Sequence, residues 1–358
     1  NDKHIACIVN NQVHALDYEI REDAEVSLLD PSTKEGRSVY IRGIMYVMGK
    51  AFHDIYPTAW LTVNYQLHNS MFCQLDNMDL TEEMIQKVKK RMQEIIDAKL
   101  PITKTVMTLD EAKAFYAHSK NANGRFQVNT HTKEVSLYFC EDYYNYLYGP
   151  MPLHTGMTPY FDIELYKDGY LVRYPDKKKP YEMGEYVETK KLLATFDEYE
   201  DIYRLLNVHT VHKLNQKVED GTINDFILLS EALHEKKISI LADKICRRKN
   251  VKMVLIAGPS SSGKTTFARK LSLALRLNGL TPVTISVDNY FVERPDTPRD
   301  EFGNYDFECI EAIDLDLFND HLVKLLNGET IEVPKFDFKV GTKVYDGTTM
   351  SLGKNDIL

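Results

Sequence analysis

The spacing of hydrophobic and polar residues predicts a small β-rich segment followed by three helices in the first third of the chain. Residues 1–36 alternate short apolar runs such as IACIVN with turn residues, which is typical of β-strands. From Tyr40 to Tyr56 the apolar residues lie on one helical face, and Pro57 ends that pattern. A second amphipathic helix is expected after Thr81, and Thr108 with Glu111 predicts a capping box for a third.

Farther along the chain the pattern becomes strand-like, then helical, and then alternates between the two. Residues 126–175 are rich in Tyr, Phe and Val between Gly and Pro, as expected of strands, and the chain turns helical after Tyr181. From Lys252 the order is strand (MVLIA), glycine loop, helix and strand (PVTISVD), with Gly279 placed to end the helix. This order predicts a βαβ unit of a parallel sheet.

The composition is that of a globular protein with more than one domain. The chain has 358 residues, 43% hydrophobic and 27% charged, and one domain usually holds roughly 150 residues. A net charge of −9 argues against a protein that mainly coats nucleic acid, and the five cysteines form no CxxC pair that would indicate a disulfide framework or a zinc site. No apolar run approaches the length of a membrane span, so we expect a cytoplasmic protein. Because the chain starts without Met on a strand-like run and stops at NDIL, we also expect a fragment of a longer protein.

A phosphate-binding loop is predicted between the first strand and the helix of the βαβ unit. The stretch GPSSSGKT matches G-x-x-x-x-G-K-[ST] at every fixed position. Its small residues allow consecutive backbone N–H groups to surround a polyphosphate at the N-terminus of the helix. Lys264 is expected to contact the β- and γ-phosphates, and the Thr265 hydroxyl is expected to hold Mg²⁺. The expected nucleotide-binding residues are Gly258, Pro259, Ser260, Ser261, Ser262, Gly263, Lys264, Thr265 and Thr266.

Asp288 is the candidate general base. It follows the second predicted strand of the βαβ unit, in SVDNYF, and the carboxyl ends of parallel strands face the crevice in which open α/β sheets bind substrates. There its carboxylate would accept the proton of a hydroxyl that attacks the γ-phosphorus, with Lys264 as the second catalytic residue. The alternative, that Asp288 only caps a turn with Asn289, stays open.

Residues 252–358 resemble the first half of the uridine kinase and phosphoribulokinase family. Four motifs carry the likeness, namely GPSSSGKTT, DNYF, NYDFECIEAIDLDLF and PKFDF, in that order. The resemblance implies a P-loop fold that requires ATP and Mg²⁺, and it implies that Asp288 is the base for a sugar hydroxyl. It also implies that Asp306 grips ribose hydroxyls and that Tyr290 and Phe336 line the substrate site. A role for Asp306 as a polar turn residue stays open.

The likeness to uridine kinases breaks down at the residues that would contact the base. Uridine kinases usually have P-x-Y-D-F followed by His and Arg, whereas this chain has Pro334, Phe336, Gly341 and Lys343 at these places. Because a site without hydrogen-bonding groups discriminates weakly, we expect no strict selectivity for pyrimidines. Another nucleoside or a sugar stays open as the phosphate acceptor.

Residues 1 to about 180 resemble the N-terminal region of threonyl-tRNA synthetases, from the second half of a TGS domain through the editing-type domain. The stretches YPTA, LTEEMIQKVKKRMQEI and YGPMPLHTG carry this likeness. The synthetase domain hydrolyses mischarged tRNA with two His and a later Cys and His, and these positions correspond to Arg42, Tyr46, Leu147 and Met151 here. Because Arg stays protonated and Leu has no donor atom, we expect neither zinc nor editing chemistry.

Together these patterns predict a multidomain protein of mixed α/β and α+β class. We expect a partial TGS-like β-grasp at 1–36, an editing-like α+β domain without zinc ligands at 37–185, a helical connector at 186–250 and the truncated first half of a uridine kinase-like P-loop domain, built on a parallel sheet, at 251–358. The expected activity is ATP-dependent phosphorylation of a hydroxyl of a nucleoside or related sugar. The alternative is a nucleotide-binding regulatory or RNA-associated module without transfer activity. RNA binding and a homo-oligomer stay open, and no membrane partner is expected.

Overall fold

The computed structural model describes nearly the whole chain and divides it into two compact units. The described residues are 3–117, 132–248, 250–259, 261–301 and 303–358. The two units are Asn1–Gly221 and Thr222–Leu358. The finer division predicted from the sequence, with boundaries after residues 36, 185 and 250, stays a prediction. Ser260 and residues 126–131 of the predicted strand region lie outside the described residues.

The first unit combines helices with short antiparallel strands. Its helices are α1 (Lys34–Ile55), α2 (Glu82–Asp97), α3 (Leu109–Ala117), α4 (Lys190–Leu205) and α5 (Val211–Glu219). Its strands are β1 (Ala6–Val9), β2 (Gln12–His14), β3 (Val26–Leu29), β4 (Leu61–Leu67), β5 (Ser70–Leu75), β6 (Thr103–Thr108), β7 (Glu134–Cys140), β8 (Tyr143–Tyr146), β9 (Asp162–Tyr166) and β10 (Gly169–Arg173). A 3₁₀ turn covers Thr155–Met157.

The N-terminal strands form a small antiparallel sheet in the order β2-β1-β3. Asn10 and Asn11 connect β1 to β2 with φ angles of 46° and 65°, a left-handed conformation that Asn tolerates better than most residues. The alternation of strands and turns predicted for residues 1–36 is therefore confirmed.

The largest sheet of the first unit, in the order β4-β5-β10-β9, is covered on both faces. Tyr170 and Val172 of β10 belong to a core built with α1 and α2, whereas Leu171 between them packs with Leu193 of α4. Successive side chains of a strand point to opposite faces, which explains this alternation. The third sheet of this unit has the order β6-β7-β8 and packs against α3.

The helix starts predicted from capping residues are confirmed. The Thr81 hydroxyl accepts a hydrogen bond from the Met84 N–H at the start of α2. At α3, the Thr108 N–H donates to Glu111 Oε2 (2.8 Å) while the Glu111 N–H donates to Thr108 Oγ1 (3.3 Å). This reciprocal pair satisfies two N–H groups that a helix terminus would otherwise leave unpaired.

The second unit has three helices among its described residues, together with very short strands. Its helices are α6 (Ile223–Arg247), α7 (Lys264–Leu277) and α8 (Leu315–Leu326). Its strands are β11 (Thr281–Pro282), β12 (Ile331–Glu332), β13 (Lys335–Asp337), β14 (Thr342–Val344), β15 (Thr349–Met350) and β16 (Asp356–Ile357). Its 3₁₀ turns cover Val287–Tyr290, Arg294–Asp296 and Ile310–Ala312.

Three segments of the second unit run side by side in parallel. β11 pairs with β16, with Thr281 opposite Asp356. The Val254 N–H donates to the Leu358 carbonyl (2.8 Å), and the Leu358 N–H donates to the Lys252 carbonyl (3.0 Å). The β16 segment therefore lies between β11 and the residues that precede the glycine loop.

The two strands predicted in this region are shorter than expected. The stretch PVTISVD is a regular strand only at β11, and MVLIA is not a regular strand at all. A strand requires a hydrogen-bonded neighbour, and the described residues provide one only for the first positions of each stretch. The complete parallel sheet stays a prediction.

The helix after the loop ends where the sequence predicts. α7 stops at Leu277, and Gly279 follows with a φ of 83°, a left-handed conformation that glycine adopts without strain. The buried Leu271 and Leu275 of α7 pack with Ile238 of α6 and with Ile357 of β16. Within the described ranges, no helix combines the length and the apolar character needed to cross a bilayer.

Candidate active site

The predicted phosphate loop opens onto the N-terminus of α7. Ser261 and Gly263 have φ angles of 58° and 83°, and the Ser262 N–H donates to the Pro259 carbonyl (3.2 Å). A Cβ atom at Gly258 would lie 2.9 Å from the Ser262 hydroxyl oxygen, a side-chain atom that can rotate away. The described part of the loop is therefore a tight turn, in which the left-handed backbone of Gly263 favours glycine.

Among the described residues of the loop, no side chain caps the N-terminus of α7. Its N-cap residue is Gly263, which has no side chain to accept a hydrogen bond from the first turn. By contrast, Thr33 and Thr81 accept such bonds at α1 and α2. The N–H groups of the first turn of α7, which include those of Thr265 and Thr266, are therefore available to an anion, and the helix dipole favours one there.

Lys264 directs its ammonium group into the loop. Its Nζ lies 2.8 Å from the Gly258 carbonyl oxygen and 2.9 Å from the Pro259 carbonyl oxygen. Thr265, the predicted Mg²⁺ ligand, is exposed beside it. The described part of the loop thus combines a positive charge with the N–H groups of a helix N-terminus, which is the chemistry that a polyphosphate requires.

Asp288 lies in the 3₁₀ turn Val287–Tyr290, which follows β11, instead of directly at a strand end. Its side chain is exposed. The neighbouring Asn289 accepts a hydrogen bond at Oδ1 from the Phe336 N–H (3.4 Å), which ties the turn to β13. The segment before the loop and β11 run parallel on either side of β16, so the loop and this turn each follow the carboxyl end of one of these parallel segments.

Tyr290 is the last residue of this turn, and its side chain has no exposed surface. Its side chain is fully buried, and its hydroxyl is 3.0 Å from Nδ1 of His321. Burial raises the pKa of the Tyr290 hydroxyl to about 12 and lowers the pKa of His321. The pair holds the turn against α8.

Asp306 and Phe336 lie on segments that one set of aromatic rings connects. Asp306 is half-buried, and its Oδ1 accepts a hydrogen bond from the Glu308 N–H (3.0 Å). The ring of Phe307, the next residue, lies 5.6 Å from that of Phe291, which is also 5.6 Å from the ring of Phe336 in β13. The Phe291 ring therefore connects the segment that carries Asp306 with the strand that carries Phe336.

Three phenylalanines near this site were not predicted from the sequence. Phe291, Phe307 and Phe338 are the last residues of NYF, YDF and FDF, and the rings of Phe307 and Phe338 both contact that of Phe291. The signal that would have found them is the repeated aromatic–Asp–Phe pattern of YDF and FDF.

Lys343, where uridine kinases have an arginine, is engaged in an ion pair. Its largely buried ammonium pairs with Asp314, which also caps α8 by accepting a hydrogen bond from the Leu317 N–H (3.1 Å). Burial raises the pKa of Asp314, but the hydrogen bond with Lys343 lowers it overall. This cation therefore stabilises the start of α8.

In the first unit, the four positions that correspond to the synthetase ligands come together. Arg42 and Tyr46 lie one turn apart on α1. Tyr46 and Met151 belong to one buried cluster, and Leu147 packs against it. The four positions matched to the synthetase from the sequence are thus consistent with a single site in the structure.

Hydrogen bonds to backbone carbonyls hold two of these side chains. The Tyr46 hydroxyl donates to the carbonyls of Tyr138 (3.0 Å) and Tyr143 (3.3 Å), and burial raises its pKa far above the ordinary value. The Arg42 guanidinium donates to the Pro150 carbonyl. Where the likeness to threonyl-tRNA synthetases implies His and Cys, this chain thus has side chains that pack and fasten β7, β8 and the following loop to α1.

One other group of potential ligands occurs among the described residues. Atoms of His53, Asp54 and Asp142 lie within 4.8 Å of one another. The Lys50 ammonium is 3.2 Å from Asp54 and 3.6 Å from Asp142, and Arg91 is 2.8 Å from Asp54, so two positive charges already pair with these carboxylates.

The N-terminal and C-terminal regions of the chain are similar to different known proteins. Residues 253–357 match the model of the phosphoribulokinase/uridine kinase family. The uridine kinase of Halobacterium salinarum is 34% identical over 84 residues, 24% of this chain and 36% of that protein. The uridine kinase of Deinococcus deserti is 33% identical over 98 residues, 27% of this chain and 46% of that protein.

The N-terminal region has different relatives. The threonine–tRNA ligase of Methylobacillus flagellatus is 26% identical over 161 residues, 43% of this chain and 25% of that ligase. The chain thus spans between a quarter and just under half of the length of these relatives. Both resemblances expected from the sequence are confirmed: the chain carries a phosphoribulokinase/uridine kinase family domain at residues 253–357, behind a region similar to threonine–tRNA ligases.

Proposed function

We propose that this protein is an ATP-dependent kinase that transfers the γ-phosphate to a hydroxyl of a nucleoside or a related sugar. One observation carries the proposal: Lys264 directs its ammonium group into the loop at the N-terminus of α7. The exposed carboxylate of Asp288 follows the parallel segment β11, and we propose that it faces the same crevice. The family match of residues 253–357 supports kinase chemistry.

In the proposed reaction, the loop N–H groups and Lys264 bind the β- and γ-phosphates. Asp288 accepts the proton of the acceptor hydroxyl while the acceptor oxygen forms a bond to the γ-phosphorus. The bond from that phosphorus to the bridging oxygen breaks, and ADP leaves with the electron pair. Mg²⁺, with Thr265 as its proposed ligand, would offset the charge of the β- and γ-phosphates.

Of the remaining predicted residues, we assign Asp306 and Phe336 to substrate binding and Tyr290 to positioning of the turn that carries Asp288. Asp306 would accept hydrogen bonds from sugar hydroxyls, and Phe336 would form part of the surface beneath the acceptor. Because Tyr290 is buried against His321, we assign it the role of positioning the turn that carries Asp288.

The test separates nucleotide binding from transfer in the full chain. Asp288→Asn should leave the affinity for a non-hydrolysable ATP analogue unchanged and lower the transfer of labelled γ-phosphate to a nucleoside by about 10²- to 10⁴-fold. Asp296→Asn is the matched control, because it alters an exposed carboxylate of the next 3₁₀ turn, and it should stay within about twofold of wild type.

A second pair of variants tests the loop. Lys264→Ala should weaken ATP binding by about tenfold or more, since a charged hydrogen-bonding partner is lost. Lys270→Ala removes a lysine of the same helix that pairs with Glu235 and should have little effect. Full transfer by Asp288→Asn, or no transfer by the wild type to any nucleoside or pentose, would refute the proposed function, and ATP binding without transfer would favour a nucleotide-binding regulatory module.

A further inference from the structure

Five aromatic side chains of the second unit form an aromatic cluster close to the proposed substrate-binding residues. Its members are Phe291, Tyr305, Phe307, Phe336 and Phe338. Neighbouring ring centroids lie 5.1–6.1 Å apart in tilted or edge-to-face arrangements, which are favourable for aromatic pairs. We propose that the aromatic cluster binds a flat, apolar ring of the acceptor alcohol by stacking, so that no base is read through hydrogen bonds at its edge. This inference rests on the proposed function and specifies its substrate class.

The aromatic cluster has buried and exposed members. Phe291 and Phe336 are only 8% and 7% exposed, and their rings lie 5.6 Å apart. Phe307 and Phe338 are 39% and 56% exposed and contact Phe291 at 5.6 and 6.0 Å. Exposed aromatic rings beside polar groups are common in sites that bind flat ligands, which supports the proposal.

The aromatic cluster adjoins both proposed substrate-facing carboxylates. Asp306 is flanked in the chain by Tyr305 and Phe307, so a hydroxyl group bound to its carboxylate lies next to exposed rings. On the other side, the Phe336 N–H donates to Asn289, the residue after Asp288 (3.4 Å). An acceptor that joins a sugar to a ring can therefore contact the carboxylates with one part and the rings with the other.

The aromatic cluster offers few hydrogen bonds to the edge of a base. Its five rings carry one hydrogen-bonding group, the Tyr305 hydroxyl. The Arg294 guanidinium donates to the carbonyls of Phe338 and Lys339 and fills the space beside Gly341, where a Cβ atom would lie 2.6 Å from Nε. Arg294 therefore supports the hairpin that carries Phe338, and a base with a polar edge would leave groups unpaired here.

The test compares two alcohols that share one sugar: uridine, and 1-phenyl-1-deoxy-β-D-ribofuranose, in which a phenyl ring replaces uracil. With the full chain and Mg²⁺-ATP, we expect kcat/KM for the phenyl riboside to equal or exceed that for uridine. Calorimetric titration of both alcohols, in the presence of a non-hydrolysable ATP analogue, measures binding independently of transfer. A site that reads the base by hydrogen bonds would favour uridine by up to about 10⁴-fold, and a preference for uridine above about tenfold in either measurement overturns the proposal.

A pair of variants tests whether the exposed ring of Phe338 contributes to binding. Phe338→Ala should weaken binding of the phenyl riboside about tenfold, the loss expected for one stacking contact, and raise KM while kcat and ATP affinity stay unchanged. Val340→Ala shortens a side chain of the same hairpin that is even more exposed, and it should change the affinity by less than about twofold. Equal affinities of wild type and Phe338→Ala overturn the proposal.

The outcomes distinguish this inference from the proposed function. If the phenyl riboside binds in a manner that depends on Phe338 but neither alcohol is phosphorylated, the inference holds and the proposed function fails. If uridine is phosphorylated and the phenyl riboside does not bind, the proposed function holds and the inference fails.

Discussion

A buried lysine in the first unit gives the sharpest test of what holds the synthetase-like region together. The Lys50 side chain on α1 is 1% exposed, and its Nζ lies 3.0 Å from Glu141, 3.2 Å from Asp54 and 3.6 Å from Asp142. Glu141 and Asp142 form the turn between β7 and β8. We expect Lys50→Met to destabilise the first unit, because it removes the charge that joins this turn to α1.

The solvent exposure of the carboxylates that pair with Lys50 determines how much stability Lys50→Met should cost. Removing one partner of a fully buried ion pair costs about 3–5 kcal/mol, whereas an exposed pair contributes about 0–1 kcal/mol. Glu141 and Asp142 are 53% and 77% exposed and stay solvated without Lys50, while Asp54 keeps Arg91 as a partner at 2.8 Å. Lys50→Met should therefore lower the free energy of unfolding by about 2–3 kcal/mol, between the two limits.

The pKa shifts determine the pH at which this effect is complete. Burial lowers the pKa of Lys50, but the hydrogen bond to Glu141 and the charge of Asp54 raise it overall, so this stabilisation is lost only as pH rises through the raised value. Burial raises the pKa of Asp142, but the charges of Lys50 and His53 lower it overall, so its part is lost as pH falls through the lowered value. The full difference between variant and wild type is expected at pH 7 and should shrink toward about pH 3.

Trp60 provides a selective assay. It is the chain's only tryptophan and lies in the first unit, so its fluorescence during urea unfolding reports on that unit even when the second unfolds separately. Lys87→Met is the control, because Lys87 lies 2.7 Å from Glu83 on α2 but both side chains are exposed, and it should leave the urea midpoint almost unchanged. A loss for Lys50→Met as small as that for Lys87→Met would refute the reasoning. Asp142→Asn in the Lys50→Met background should restore part of the stability by removing repulsion.

Two further predictions concern buried polar groups. Tyr46→Phe should lower the free energy of unfolding of the first unit by about 1–2 kcal/mol, because the carbonyls of Tyr138 and Tyr143 lose their donor, and an unchanged urea midpoint by Trp60 fluorescence would contradict this. His321 should titrate below the ordinary value of about 6.5 in NMR spectra of its ring protons, because burial lowers its pKa. Since the unfolded state then binds more protons, the second unit should lose stability as pH falls below that value; a midpoint at or above it would rule this out.

Local features of the fold could be predicted from the sequence because they depend on a few neighbouring residues. The Thr81 cap and the Thr108–Glu111 box each require two side chains within one turn, and Gly279 requires only a backbone conformation. The four synthetase-ligand positions could also be matched, since Arg42 and Tyr46 share one helical face.

Features that depend on distant partners could not be predicted in the same way. The length of a strand is set by its neighbours, so MVLIA and PVTISVD have the composition of strands but are paired only at their first residues. Likewise, NYF does not indicate where each aromatic ring packs: Tyr290 turns toward His321, while Phe291 joins Phe307, Phe336 and Phe338.

The same kind of replacement separates this chain from its relatives in both regions. Tyr46 and Met151 occupy positions at which the likeness to synthetases implies His, and both pack in a core. Phe336 and Gly341 occupy positions at which uridine kinases contact the base, and Phe336 is a buried member of the aromatic cluster. The predicted phosphate loop, by contrast, keeps every fixed position of its motif. Because Phe336 and Gly341 lack the hydrogen-bonding groups that uridine kinases have at these positions, we expect this chain to differ from a uridine kinase in acceptor choice. A search for its substrate should therefore vary the ring of the acceptor before it varies the sugar.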